Sequence, residues 1–587
     1  MAPAAPGSGR SISTGSVAAG KLSPRLTAAS GSVTVFVELA ATPAVDAYNT
    51  ELRRGRVAAR AAASAARTRV DGKATGVIAE LRGRDRAARE LYRTNNAVPG
   101  VTVVADAASL RQLAANPDVR SIRIAVPKKV ANSGAAVLTR VLDTWQSTGR
   151  LGDHVRVGII DTGIDYTHAN FGGPGTTAAY DAIDETVADP SYFPTAKVVG
   201  GYDFVGNGYD AGNGDPAVST PVPDPNPLDC NGHGSHVAGT AAGFGVNADA
   251  NGDGSTFSGD YAALTADSLR DLRIGPGMAP RALLYALKVF GCTGSTNVVT
   301  SALDWALDPN RDGDFTDHLD LVNLSLGSDY GAPDDPESLF VRKLSANGVL
   351  VVASAGNGGD LYDIGGSPGN APEALTVASS RDAYVLRDAA EVTAPAEVAG
   401  LRAGQYSVNF TGYDTLDLTR AVARLSMAGN LDGCRPFSDA DKTAVAGKFA
   451  WLEWDDNDAS RRCGSGLRTN NAQAAGAAGV LLSSTLETFG AGIAGNATIP
   501  VFQLTGSATA ALRPALNAGT LQVRQAGALR TSLKTFNTAI EDTPSSFTSR
   551  GVRGSVRGSV TGGVGGSVKP DVAAPGDTIT STRVGSG

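Results

Sequence analysis

Cysteine, histidine and long apolar runs are all scarce in this 587-residue sequence. The four cysteines contain no C-x-x-C pair of the kind found in zinc or redox sites. They fall as two pairs in separate regions, which favours two disulfides and an oxidising compartment over four buried thiols. No stretch reaches the roughly 18 apolar residues that span a bilayer, so no membrane partner is expected. Residues 1–31 lack the apolar core of a signal peptide, and their small polar composition predicts a disordered leader.

The charge is unevenly distributed. The net charge is −7, yet residues 51–100 hold eleven Arg and one Lys against five acidic residues. A basic helix of this kind could bind nucleic acid or an acidic protein surface. Acidic residues interrupt the run and no nucleic-acid motif accompanies it. We therefore predict docking on an acidic protein partner and no nucleic-acid partner.

The apolar pattern divides the chain into regions. The first region, 32–128, predicts a small α+β domain with strands at 32–39, 101–104 and 119–124 and helices at 44–93 and 107–115. The second region alternates short strands with helices, which is typical of a parallel sheet with helices on both faces. Its predicted strands are 155–160, 283–289, 319–324 and 349–353, and its predicted helices are 234–243, 297–307 and 336–347. The stretch 381–535 breaks this rhythm and predicts an inserted domain with strands at 448–454, 480–482 and 499–504 and a helix at 471–479.

Asp161 follows the apolar run 157–160 and precedes Thr162 and Gly163. Ligand sites in open parallel sheets lie at the carboxyl ends of the strands. An acid at that place is well positioned to orient a histidine. The alternative is an ordinary turn or helix-cap aspartate.

His233 opens a predicted helix of small residues and is one of only five histidines. A histidine general base has to come from this short list. The alternative is a metal pair with His236, three positions later. No H-E-x-x-H motif or matching third ligand accompanies the two, so we favour the base.

Two further strands leave into glycine, at Ser325-Leu326-Gly327 and at Asn357-Gly358. The side-chain amide of Asn357 is expected in the active cleft, where a positioned amide stabilises an oxyanion. The alternative is an asparagine in a left-handed turn.

Together these segments resemble the subtilisin-like serine proteases, the subtilases. Residues 161–165 resemble the family's D-T-G-I-D, 232–239 its G-H-G-T-H-V-A-G, 354–357 its A-A-G-N and 568–576 its V-K-P-D-V-x-A-P-G. The four segments follow one another in the family's order. Ser235 stands where threonine is usual, and the separation of Asp161 from His233 is long for the family and implies an inserted loop.

The resemblance implies a subtilisin-like parallel sheet and a secreted endopeptidase that acts on proteins or peptides by acyl transfer. Asp161 would orient the base, His233 would be the general base and acid, and Asn357 would donate to the oxyanion. Ser325, Leu326 and Gly327 would line the specificity pocket and pair with the substrate backbone as an added strand. Gly294 and Ser295 would form part of the opposite strand.

The family's nucleophile lies in a G-T-S-M-A segment, which residues 1–587 do not contain. The resemblance therefore predicts that this serine lies beyond Gly587 and that the chain alone is inactive. The alternative is an inactive homologue that binds peptides or a protease. Ser367 fits a G-x-S-x-G pattern, but Pro368 cannot donate an oxyanion-hole N–H, so a turn is favoured over an esterase nucleophile.

The remaining segments also resemble parts of subtilases. Residues 32–128 are similar to the inhibitory propeptide, with cleavage expected between 125 and 145, so the chain's own propeptide is expected as an intramolecular inhibitor. Residues 400–530 resemble a protease-associated domain inserted between two parts of the catalytic domain, 129–399 and 531–587. The resemblance implies that Cys230 pairs with Cys292 and Cys434 with Cys463.

Two acidic stretches predict calcium loops, with solvated turns as the alternative. The first has acidic or amide side chains at EF-hand-like positions: Asp249, Asn251, Asp253 and Asp260. The second surrounds Gly313: Asp308, Asn310, Asp312, Asp314 and Asp317. Calcium would be structural, and the chemistry itself requires no cofactor.

Overall fold

The computed structural model describes residues 21–125, 129–130, 139–248, 254–331, 335–361, 363–382, 384–457, 460–489, 492–530, 532–536, 540–550, 569–577 and 579–585. The chain forms two compact units: 1–382 with 542–587, and 383–541. Among the described helices, none is long and apolar enough to cross a membrane. The predicted leader falls mostly on residues 1–20, which lie outside the described residues.

The N-terminal domain is an antiparallel sheet in the order β2-β3-β1-β4, covered by helices. Its strands are β1 (Ser32–Leu39), β2 (Arg89–Thr94), β3 (Gly100–Asp106) and β4 (Val119–Ile124). Its helices are α1 (Pro24–Ala28), α2 (Ala44–Glu51), α3 (Arg56–Arg84) and α4 (Ala107–Leu113). This is the small α+β domain that the sequence predicts.

Helix α3 buries a stripe of small and aliphatic residues at helical spacing and leaves its arginines on the other faces. The stripe consists of Ala59, Ala63, Ala66, Val70, Ala74, Val77, Ile78 and Leu81. The prediction that residues 44–93 are helical was wrong at the end of this stretch. Residues 89–94 form β2, because pairing with β3 overrides a composition that reads as helical.

The core of the larger unit is a seven-stranded parallel sheet in the order β23-β14-β13-β11-β6-β10-β7. Its strands are β6 (Arg156–Asp161), β7 (Val198–Asp203), β10 (Leu283–Lys288), β11 (Leu321–Leu324), β13 (Leu350–Ser354), β14 (Leu375–Arg381) and β23 (Val572–Asp577). Short strand pairs accompany the sheet: β5 (Lys129–Val130) with β12 (Leu326–Gly327), and β8 (Val246–Asn247) with β9 (Leu272–Ile274). Its helices are α5 (Val141–Thr148), α6 (Thr177–Asp181), α7 (His233–Ala242), α8 (Ala266–Arg270), α9 (Val299–Trp305) and α10 (Glu337–Ala346).

Buried aliphatic residues on adjacent parallel strands make this sheet. In β6, Ile159 and Ile160 have no exposed surface, and the strand pairs with β10 on one side and β11 on the other. A central strand buried on both faces reads as a continuous apolar run, which is why the sequence predicts it well. The carboxyl ends of these strands share one edge of the sheet, and the candidate site lies there.

The second unit is a β-barrel, and its described residues also form three α-helices. Strands run in the order β16-β20-β19-β18-β17-β21-β15-β22, and the extra pairing of β15 with β16 closes the ring. They are β15 (Tyr384–Ala394), β16 (Gly400–Tyr406), β17 (Asp417–Arg424), β18 (Phe449–Leu452), β19 (Gly479–Leu482), β20 (Val501–Leu504), β21 (Gln522–Ala526) and β22 (Leu533–Phe536). The helices are α11 (Asp439–Val445), α12 (Ser465–Ala474) and α13 (Gly506–Asn517). The predicted helix at 471–479 was misplaced, because α12 ends at Ala474 before the turn at Gly476.

Candidate active site

Asp161 and His233 lie 72 positions apart in the sequence and meet at the carboxyl edge of the sheet. Asp161 ends β6 and is fully buried, and His233 is the first residue of α7. Nδ1 of His233 lies 2.8 Å from Oδ1 of Asp161. Because a carboxylate only accepts, Nδ1 donates this bond in the neutral ring. Nε2 is then the basic atom of the imidazole.

A second buried acid, Asp229, holds the chain in front of α7. Its carboxylate accepts backbone N–H bonds from Asn231, Gly232 and Ser235 at 2.9, 3.0 and 2.9 Å. It also accepts from Oγ1 of Thr162 at 2.9 Å. Burial raises the pKa of Asp229, although these donors oppose the shift. The sequence reasoning missed this residue; an acid just before a Gly-rich turn was the available signal.

Thr162 joins the two halves of the site. Its backbone N–H donates to Oδ1 of Asp161 at 2.7 Å, and its hydroxyl accepts from the N–H of Gly234 at 2.8 Å. Gly234 is required at this contact, because a Cβ there would lie 2.2 Å from the carbonyl oxygen of Gly163. The aspartate segment and the helix start are therefore fixed to each other by backbone approach and hydrogen bonds.

Ser235 forms two side-chain hydrogen bonds at the position where threonine is usual. Its hydroxyl donates to Oδ2 of Asp229 at 2.7 Å and accepts from the N–H of Asp165 at 2.8 Å. Both bonds use only the oxygen that serine and threonine share.

Burial raises the pKa of Asp165 to about 6, although hydrogen bonds from Thr167 and Gly585 oppose this shift.

His236 is engaged elsewhere. Its Nε2 lies 3.2 Å from the carbonyl oxygen of Ile579, and burial lowers its pKa. Within the described part of the chain, the grouping of possible metal ligands includes neither His233 nor His236. His233 and His236 thus use these ring nitrogens for different partners, and the choice of a base over a metal pair stays a prediction.

The segment 579–585 crosses α7 and was not anticipated as part of the site. The hydroxyl of Ser581 donates to the carbonyl of His236 at 2.8 Å, and the N–H of Gly585 donates to Oδ2 of Asp165 at 2.9 Å. Thr582 accepts from the side chain of Asn170 at 2.7 Å. Nothing in its short polar sequence signals these contacts, which depend on the fold.

A short extended segment of the chain itself, β5, pairs with β12, the strand that was expected to pair with substrate. β5 pairs antiparallel with β12, so that Lys129 lies opposite Gly327 and Val130 opposite Leu326. Leu326 is fully buried. Ser325, just before β12, accepts from the side chain of Asn323 at 2.9 Å. This edge of the molecule therefore accepts an extended backbone as an added strand.

Gly294 and Ser295 lie in the bend between β10 and α9. Ser295 donates its N–H to Asp210 at 2.9 Å and accepts from the N–H of Ala211 at 2.9 Å. Gly294 has a φ of 95°, and a Cβ there would meet Asp210 at 2.3 Å. Their expected pairing with a substrate remains a prediction.

Asn357 is exposed in the bend that follows β13. Its contact with an oxyanion also remains a prediction. Ser367, in contrast, is fully buried and pairs through its backbone with Ser328. A nucleophile has to be reached by substrate, so the burial of Ser367 opposes the esterase alternative.

Two disulfides join the pairs that the resemblance implies, Cys230 with Cys292 and Cys434 with Cys463. Cys230 lies three residues before His233, so the first disulfide links the loop before α7 to the segment after β10. The side chain of Asn231 reinforces the link by donating to the carbonyl of Cys292 at 2.9 Å. The second closes a loop within the barrel unit.

The acidic loop, residues 308–317 between α9 and β11, brings carboxylates together. One oxygen each of Asp308, Asp312 and Asp317 lies within 4.8 Å of the others, so the three could hold a metal ion. Asp314 lies outside this group and accepts from Tyr48 and Arg60 of the N-terminal domain. In the other predicted loop, Asp249, Asn251 and Asp253 lie outside the described residues, and Asp260 accepts from the N–H of Ala262.

Comparison with known proteins agrees with this geometry. The sequence profile of the subtilase family matches residues 152–586. The PIII-type proteinase of Lactococcus lactis subsp. cremoris (strain SK11) is 28% identical over 528 residues, which cover 82% of this chain and 23% of that protein. The minor extracellular protease Vpr of Bacillus subtilis (strain 168) is 27% identical over 454 residues, 75% of this chain and 43% of that protein. Subtilisin DY of Bacillus licheniformis is 31% identical over 220 residues, 37% of this chain and 52% of that protein. The chain thus spans less than half the length of the first two relatives.

Proposed function

The chain belongs to the subtilase family, and from that premise we propose that it carries the Asp–His half of the catalytic triad of a secreted serine endopeptidase. The observation that carries the proposal is the 2.8 Å bond between His233 and the buried Asp161. This is the arrangement by which a carboxylate fixes the tautomer of a general base. The third member of the triad is the serine of the family's G-T-S-M-A segment, which residues 1–587 do not contain.

His233 acts first as base and then as acid. Nε2 removes the proton from the serine hydroxyl as its oxygen attacks the peptide carbonyl. The tetrahedral oxyanion is held by the side-chain amide of Asn357 and a backbone N–H. The C–N bond then breaks, His233 returns the proton to the leaving amine, and water hydrolyses the acyl-enzyme. Asp161 stays ionised and stabilises the imidazolium.

Substrate backbone adds to β12. Ser325, Leu326 and Gly327 provide one side of the groove, and Gly294 with Ser295 provides the other. The antiparallel pairing of β5 with β12 supports this proposal, because it seats two residues of the chain itself as an extended strand. Protein and peptide substrates follow from the family, and their side-chain preference is left open.

Residues 32–128 act as an intramolecular inhibitor, with cleavage between 125 and 145. The domain contacts the larger part of its unit through a buried carboxylate. Asp304 of α9 accepts the N–H groups of Asn95, Asn96 and Ala97 at 3.1, 3.0 and 2.6 Å. In the sequence β5 begins directly after residue 128, which supports a plug that ends in the substrate groove.

Three further assignments belong to this proposal. The barrel unit, residues 383–541, contains the expected stretch 400–530 and is a protease-associated domain inserted between the catalytic segments 129–382 and 542–587. Calcium is the metal of the acidic loop and is structural. The protein works outside the cell, which is supported by its two disulfides and by the extracellular relative in Bacillus subtilis.

Replacing Asp161 by Asn in the full-length protease tests the proposal. We expect kcat to fall by about 10⁴-fold, because an amide favours the wrong histidine tautomer. The measurement is hydrolysis of a peptide substrate with a fluorescent leaving group. Asp153→Asn is the matched control, since Asp153 is exposed and, among the residues that the structure describes, forms a 3.4 Å ion pair with Arg281. Peptidase activity that survives His233→Ala at the wild-type rate would refute the proposal.

The second candidate function is peptide binding without hydrolysis, and the seated β5 strand is the observation that favours it. The full-length protein would then bind peptides with equal affinity before and after His233→Ala and would never release product. Detectable turnover by the wild type excludes this candidate.

A further inference from the structure

The acidic loop meets the N-terminal domain through arginines of α3. Arg67 donates to Oδ2 of Asp308, and Arg60 donates to Asp312 at 3.1 Å and to Asp314 at 2.9 Å. Arg67 also lies 5.6 Å above the ring of Phe315. Two of the three carboxylates that could hold a metal, Asp308 and Asp312, are therefore the acceptors of a docked guanidinium.

The same carboxylates fit a divalent cation in size. Calcium binds oxygen at about 2.3–2.6 Å, so two ligands on opposite sides of the ion lie about 4.6–5.2 Å apart. The grouped oxygens of Asp308, Asp312 and Asp317 lie within 4.8 Å of one another. Carboxylate oxygens are the ligands that such hard cations prefer.

An independent feature points to a cation at this place. The side chain of Asp308 has no exposed surface, and its Oδ1 has no hydrogen-bond partner among the described residues. One oxygen of Asp317 is likewise buried without a partner there. A buried carboxylate oxygen without a donor is unfavourable unless a positive charge compensates it. Arg67 supplies that charge to Asp308 only while the N-terminal domain is docked.

We propose that the acidic loop is a divalent-cation site that competes with Arg60 and Arg67, so that cation binding and docking of the N-terminal domain weaken each other. A dication and two guanidinium groups that share the same carboxylates repel one another. The coupling is reciprocal by thermodynamic necessity. The factor by which the docked domain lowers the affinity for the cation equals the factor by which the bound cation lowers the equilibrium constant for docking. Calcium then promotes release of the domain that we propose as inhibitor. This consequence and the choice of calcium as the cation rest on the proposed function.

Calcium binding by the full chain tests the coupling without any peptidase assay. Protein stripped with EGTA is titrated calorimetrically with calcium chloride. We expect the double variant Arg60→Ala/Arg67→Ala to bind calcium roughly 5- to 150-fold more tightly than the wild type, the usual range of coupling between two sites. Arg69→Ala/Arg86→Ala removes the same charge from exposed positions of the same domain and is expected to leave the affinity unchanged.

Asp317→Asn identifies the site. Asp317 belongs to the metal-capable group, and its carboxylate accepts from Asn310. Among its described bonds, an arginine, Arg156, donates to its backbone carbonyl and not to its carboxylate. In this background the effect of the arginine substitutions on calcium affinity is expected to vanish. An arginine effect that persists in the Asp317→Asn background, or unchanged affinity after loss of both arginines, overturns the proposal.

Hydrogen exchange gives a second readout that needs no arginine variant to fold. Adding calcium to the wild type is expected to speed amide exchange in residues 56–67 of α3 and to leave exchange in the Asp317→Asn variant unchanged. Equal or slower exchange of the wild type with calcium overturns the coupling. Because neither readout needs turnover, an inactive protease would refute the proposed function and leave this inference intact.

Discussion

Tyr48 shows how a single side chain joins the N-terminal domain to the larger part of its unit. It is buried to 1% exposure, and its hydroxyl donates to Oδ1 of Asp314 at 2.5 Å. Burial and the neighbouring Asp314 raise the pKa of Tyr48 to about 12, so the phenol keeps its proton at neutral pH. Burial alone would raise the pKa of Asp314, but bonds from Tyr48, Thr316 and Arg60 hold it well below its usual range.

Replacing Tyr48 by Phe is expected to destabilise the docked domain by about 1.5–3 kcal/mol, the usual contribution of a hydrogen bond to a charged group. The ring keeps its contact with Phe315, 5.4 Å between centroids, so the loss reports the hydroxyl. Native-state hydrogen exchange of α2 measures the change. The control is Tyr192→Phe, at a residue that is 37% exposed, where less than about 0.5 kcal/mol is expected. Equal protection in both variants would contradict the prediction.

Helix α7 owes its position to glycine. Cβ atoms at Gly234 and Gly239 would lie 2.2 Å from the Gly163 carbonyl oxygen and 2.3 Å from Oγ1 of Thr582. Because glycine has no Cβ atom, the start of the helix can contact the chain that follows β6. Helix α3 contrasts with it, because its Gly76 has open space around the Cβ position.

Gly234→Ala is expected to push α7 away from β6 and to lower kcat/KM of the full-length protease by about 10²-fold, since a shift of about 1 Å at a catalytic group costs that much. Peptide hydrolysis is the measurement. Gly76→Ala is the matched control and should leave activity unchanged while it stabilises α3 by about 0.5–1 kcal/mol. Full activity of Gly234→Ala would show that the helix start adjusts without moving His233.

The elements that the sequence predicts well are those set by local pattern. The buried strand β6 and helix α10 were predicted to within about two residues of their observed ends. β15 and β16 were not predicted, because about half of their residues are polar and their strand conformation depends on the pairing that closes the barrel. The same holds at the site. Motifs identified Asp161 and His233, whereas Asp229 and the segment 579–585 depend on contacts between distant positions.

At the scale of the whole molecule, opposite charges divide between the N-terminal domain and the part it docks on. Residues 51–100 are strongly basic, and three of their arginines, Arg56, Arg60 and Arg67, form ion pairs with the acidic loop. The predicted acidic docking partner is therefore present within the same chain. One carboxylate in this contact, that of Asp304, titrates near the physiological range, which makes docking sensitive to pH.

Burial raises the pKa of Asp304 from 3.8 to about 6, although the N–H bonds from Ala97, Asn96 and Asn95 oppose the shift. Between these two values the folded chain keeps a proton that the unfolded chain has lost. The contribution of Asp304 to stability is therefore fully present below pH 3.8 and is lost as the pH rises through 6. In the Asp304→Asn variant, the amide that replaces the carboxylate does not titrate. We expect the free energy of unfolding of the wild type minus that of the variant to fall steadily between pH 4 and 7, measured by urea denaturation. Asp71→Asn, an exposed change on α3, should give a flat difference, and a difference for Asp304→Asn that is flat or rises with pH would show that the buried carboxylate ionises as easily as an exposed one.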